Sequence, residues 1–143
     1  MAALTAPRNT SQHGLSPIAQ KASYPVLAST KIYAGALVAL SAAGYAKPAA
    51  TGDTKVVGVA QATVDNSSGA NGALEVPVAR GAFWLNNKGG DLVTQADIAT
   101  PALCYVEDDN TVRHTATASI AAGRPIRIGG SGGDPAGVLV EIY

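Results

Sequence analysis

Two stretches of the chain carry side chains able to act as nucleophiles. Gly129-Gly130-Ser131-Gly132-Gly133 fits the Gly-x-Ser-x-Gly spacing of a hydrolase elbow and follows a strand-like segment. An elbow needs a helix next, and Asp134-Pro135 breaks the chain there. Its triad also needs a later histidine, and none follows His114. A flexible loop is the expected role. The same glycines lack the Gly-Lys-Ser/Thr of a phosphate cradle. Cys104, Asp109 and His114 form the second set, with the residue types of a thiol nucleophile, a base and an orienting acid. A hairpin centred on Asp108-Asp109 places Cys104 opposite Arg113 and turns His114 to the other face. A one-residue shift of register would bring Cys104 and His114 together. In Leu103-Cys104-Tyr105 the cysteine otherwise reads as a small buried hydrophobe. No residue is given a catalytic role.

Metal and modification chemistry is equally thin. His13 and His114 are about a hundred residues apart and share no ligand spacing. Glu107-Asp108-Asp109-Asn110 offers oxygens to calcium without the spaced ligands and glycine of a known loop, so a solvated hairpin tip is expected. Asn9-Thr10-Ser11 and Asn66-Ser67-Ser68 match the glycosylation sequon, and Met1 to Arg8 lacks the basic start and apolar stretch of a secretory signal. No cofactor and no metal are expected. Synthesis in a cytoplasm is.

The elements that must position these residues are short. Leu, Ile, Val and Phe make up 31 of 143 residues, while alanine alone supplies 28. Such a thin core points to burial against partners, in an obligate oligomer or an assembly. Ten basic residues balance ten acidic ones, which removes a global case for nucleic-acid or anionic-membrane binding. No run of about 18 apolar residues predicts a membrane span. One cysteine excludes an internal disulfide.

Residues 1–23 read as an extended arm, with Leu4, Leu15 and Ile18 as spaced anchors and no helical or strand period. Residues 24–143 read as one β domain. Candidate strands are Val26–Ala28, Ala36–Leu40, Lys55–Val64, Leu74–Arg80, Ala82–Leu85, Ala102–Val106, Thr111–Ile120, Arg124–Ile128 and Val138–Tyr143. Turns are expected at Ala43-Gly44 and Tyr45-Ala46-Lys47-Pro48. Gly58 marks a bulge, and Pro77 a bulge or a sheet edge. One helical turn is expected within Asp91–Ile98, capped by Asp91. Eight or nine short strands predict a mainly β fold, a small barrel or sandwich with at most one short helix. In Ala82-Phe83-Trp84-Leu85, alternation sends one ring inward and the other outward, where it can anchor a subunit contact.

The order and spacing of several pieces resemble the capsid decoration, or cement, proteins of tailed bacteriophages. The carriers are Ala34-Gly35-Ala36-Leu37-Val38-Ala39-Leu40 with Gly44-Tyr45-Ala46-Lys47-Pro48-Ala49, then Val57-Gly58-Val59-Ala60 and Val78-Ala79-Arg80-Gly81-Ala82-Phe83-Trp84-Leu85. Ala96-Asp97-Ile98, Cys104 to Val112 and Ala136 to Ile142 complete the set. The chain departs from the family pattern at Ala99-Thr100-Pro101-Ala102, often a Gly-Lys in related chains, and in its longer loop at 129–135.

The resemblance implies a structural protein on the outer surface of a virion head, commonly a homotrimer at three-fold and quasi-three-fold positions. Its partners would be the major capsid protein and further copies of itself. An N-terminal arm frequently makes the capsid contact, which selects Arg8, Leu15, Pro17, Ile18 and Lys21. Phe83, Trp84 and Leu85 are the expected protomer interface. The alternative expectation is a head-fibre or carbohydrate-binding β module displayed on the virion.

Overall fold

The computed structural model describes residues 21–129 and 137–142, and these hold twelve strands and one helical turn. Five strands form an antiparallel sheet: β1 (Lys21–Pro25), β3 (Leu37–Leu40), β4 (Ala46–Pro48), β5 (Lys55–Ala60) and β7 (Glu75–Ala79). Their order is β1-β7-β5-β3-β4. The ribbon of β2 (Thr30–Ile32) and β6 (Val64–Asn66) pairs separately. Five more strands close a barrel: β8 (Gly81–Asn87), β9 (Cys104–Val106), β10 (Thr111–Arg113), β11 (Ala121–Ile128) and β12 (Gly137–Ile142). Their order is β10-β8-β12-β11-β9, all antiparallel except β8 with β10. The helical turn α1 (Gln95–Ile98) lies against β11.

The sheet has two buried faces because its residues alternate between two cores. Leu37, Ala39, Val56 and Val59 join Leu85, Val106, Val112, Val138, Val140 and Ile142 inside the barrel. Val38, Val57 and Ala60 join Val26, Ile32, Val76 and Val78 on the opposite side. Twelve of the thirteen valines are buried, so β-branched side chains compensate for the scarcity of large ones.

The expected bulge at Gly58 makes this division work. Leu37 pairs with Val59 and Val38 with Gly58, but Ala39 pairs with Val56, leaving Val57 as the extra residue. The phase flips there, so Val56 and Val59 face one core while Val57 and Ala60 face the other. Gly58 has φ +146°, which disfavours any side chain.

The mainly β class stands, with more and shorter strands than the sequence suggested. The first strand begins at Lys21, so Lys21, Ala22 and Ser23 belong to the sheet; Val26 makes only an isolated bridge to Ala46. Ala46–Pro48, expected as a turn, is β4, and Lys55–Val64 divides into β5 and the start of β6. Thr111–Ile120 keeps strand geometry only to Arg113. Beyond it the His114 and Thr115 N–H groups turn to the backbone and carboxylate of Asp91. Pro77 sits neither at an edge nor in a bulge. It lies in β7 just past the last β5 pair, opposite Ser23, where only its carbonyl is used, by the Gln61 N–H at 2.8 Å.

Candidate functional site

Alternation in β8 separates the three residues expected at a protomer interface. Leu85 is 5% exposed in the barrel core, with Phe83 packed against that core. Leu85 therefore has almost no area to offer a neighbour, which corrects its expected role. Trp84 points the other way and is half-buried on the outer wall. It pairs across strands with Leu139, and Leu139 pairs in turn with Arg127. A bulge between Pro125 and Arg127 leaves Ile126 41% exposed nearby.

Of the expected arm contacts, Arg8, Leu15, Pro17 and Ile18 lie outside the described residues. Lys21 is exposed at the start of β1, paired with Ala79. It borders a groove of about 350 Å³ that it shares with Ala22, Ser23, Gln61, Pro77 and Val78. The edge strand β1 is where residues 1–20 join the body.

The possible nucleophiles do not assemble. The β9–β10 hairpin pairs Val112 with Val106 and Arg113 with Tyr105, one residue from the expected register. That shift still fails to bring Cys104 to His114. Cys104 is fully buried, its Sγ donates to the Gly123 carbonyl oxygen at 3.4 Å, and burial pushes the thiol up to about 12. The thiolate of a nucleophile is thereby disfavoured. Asp109 sits at the hairpin tip, its carboxyl raised by burial and then by neighbouring Asp108. Ser131 and His13 lie outside the described residues. Among the described residues, no three His, Cys, Asp or Glu side chains are placed to hold a metal ion.

The polar chemistry that is present ties loops to the barrel. Asn87, at the end of β8, embraces the backbone of Val93: its Nδ2 donates to the Val93 oxygen at 2.8 Å, and its Oδ1 accepts the Val93 N–H at 2.9 Å. This seats the Val93 side chain in the barrel core. The cap of α1 is Thr94, not Asp91 as expected. Asp97 Oδ2 accepts the Thr94 N–H at 2.7 Å and meets His114 Nδ1 at 3.0 Å. Burial alone would raise the Asp97 carboxyl, but the bonds from Thr94 and His114 outweigh it and hold it below its usual value. Asp91 instead accepts the Thr115 hydroxyl at 2.7 Å, and that bond lowers its carboxyl. Glu107 lies between Lys88 at 2.8 Å and Arg113 at 3.4 Å.

Comparison of the chain with known protein families, curated proteins and solved structures finds no match. The geometry of its surface therefore carries the functional reading.

Proposed function

We propose that this chain is a structural decoration protein that binds the outer surface of a phage head and bridges major capsid subunits, acting as a homotrimer. The observation that carries the reading is the outward pair of Trp84 and Leu139 on the barrel wall. An aromatic beside an aliphatic residue, on a face the protomer's own core does not use, is the composition that anchors subunit contacts. The pieces behind the resemblance support it as well. Ala34–Leu40 and Val57–Ala60 supply the paired strands β3 and β5, and Val78–Leu85 carries the chain from sheet to barrel. Multivalent binding lets modest contacts suffice, because one trimer engages several capsomers together.

Quantitative mass spectrometry of purified, DNA-filled particles from the source lysate tests this function. A copy number comparable to that of the major capsid protein is the expected result. A few copies per particle would point to a fibre or vertex module, and complete absence would end the virion reading.

A further inference from the structure

The segment after β2 and the tip of the β9–β10 hairpin meet in an open groove of about 290 Å³, lined by Tyr33, Ala34, Gly35, Ala36, Asp109 and Asn110. The walls are joined by the Leu37 N–H, which donates to the Asp109 carbonyl oxygen at 2.6 Å. Within the turn, the Ala34, Gly35 and Ala36 N–H groups donate to Thr63 Oγ1, the Ala60 oxygen and the Tyr33 oxygen. Internal bonds therefore set the groove's shape, and a ligand would find it already formed.

Its side chains are less satisfied than its backbone. Tyr33 is 59% exposed, more than any other large apolar residue among those described. The Lys31 ammonium stands 4.8 Å from its ring centroid and restrains the ring from that side. Asp109 makes no ion pair among the described residues, although the residue is half-buried. Asn110 Oδ1 accepts the Thr111 hydroxyl at 2.8 Å, which orients its NH₂ as a donor. Tyr33, Asp109 and Asn110 thus bring an aromatic ring, a carboxylate and an amide to the lining of one small open space. No lysine or arginine lines it.

We infer that this groove is a single-sugar subsite for a neutral glycan carrying vicinal hydroxyls. The C–H face of a pyranose would lie on the Tyr33 ring. One hydroxyl would donate to Asp109 while accepting from the Asn110 amide. A lysine or arginine side chain of a protein partner is the competing occupant. The Lys31 ammonium already at the ring opposes it, because a second cation there meets like charge. The inference stands apart from the proposed virion role, since it concerns binding by the isolated chain.

The test is amide NMR on the full-length protein, titrated separately with methyl glycosides of glucose, galactose and mannose and with Nα-acetyl-lysine amide. At least one glycoside is expected to produce saturable shifts at Gly35, Ala36, Asp109 and Asn110. Tyr33→Ala and Asp109→Asn should each weaken that binding about tenfold or more and leave the remaining spectrum native. Both changes fall on side chains outside the two cores, so loss of binding would not reflect unfolding. Absence of saturable shifts with every glycoside overturns the assignment. So does binding that survives both variants, or response to the lysine derivative alone.

Discussion

Gly58 approaches Ala79 so closely that a Cβ on the glycine would stand 2.4 Å from the Ala79 carbonyl oxygen and 2.6 Å from Val78 Cγ1. Backbone occupies the space, so no side-chain rotation relieves it. Gly58→Ala should destabilise the chain by about 3 kcal/mol, combining overpacking with a positive φ. Gly35→Ala is the control, with φ +87° and no atom within 4 Å of its Cβ; about 1 kcal/mol is expected. Urea unfolding of both variants measures the difference. Equal losses would show that the bulge is not sterically fixed.

Asn87 fixes Val93 through two backbone bonds that no other side chain supplies. Asn87→Ala should cost about 2–3 kcal/mol, since it leaves a donor and an acceptor next to the barrel core without partners. Asn87→Asp should also be harmful, because it removes the donor to the Val93 oxygen. Thermal melts read both, and a variant as stable as the parent would discard the role.

Asp97 predicts an acid-side pH dependence. Its carboxyl titrates below its ordinary value in the folded chain and regains that value on unfolding, so on acidification the unfolded state takes up its proton first. The stability it contributes is complete above the unfolded value and is lost as pH falls through the lower folded one. Asp97→Asn should flatten that acid limb and change little near neutrality beyond a constant offset. A parallel displacement of the whole profile would mean that the ionised form contributes nothing special.

For the proposed trimer, Trp84→Ala should leave a folded chain and shift sedimentation from trimer to monomer, because the ring lies outside the barrel core. Leu85→Ala should behave oppositely, lowering stability by about 2–4 kcal/mol. A trimer that persists in Trp84→Ala would move the interface elsewhere.

Deleting residues 1–20 should spare β1, which begins at Lys21, and so preserve the fold. The truncated chain is expected to lose binding to capsids. Saturation of capsids by it would free the arm from that role.

Features governed by neighbours in sequence were legible before the structure. Gly58 in an apolar run marked a bulge, and Asp108-Asp109 marked a hairpin tip. Features set at long range were not. The register of Val112 against Val106 depends on β10 also lying parallel to β8, and Cys104 pairs not with the hairpin but with Gly123. Thr111 to Ile120 alternates as a strand should, yet Asp91, some 24 residues from Thr115, captures the chain after Arg113. The groove at Tyr33 joins two loops about 75 residues apart in sequence, and no local pattern brings them together. The residues expected at a protomer interface, Phe83, Trp84 and Leu85, could be sorted only by seeing which face of β8 each occupies.

The pairing of Lys21 with Ala79 has a mechanical consequence. The arm's root lies two residues from Gly81, where the barrel begins, and both sit at one end of the β1–β7 pair. Tension applied through the arm against an anchored barrel therefore loads Lys21–Ala79 first and passes inward to Pro25–Glu75. The five pairs part in succession, as a zipper opens, instead of shearing together. Strand β1 would peel before the barrel core is breached, giving the molecule a yielding tether at its root.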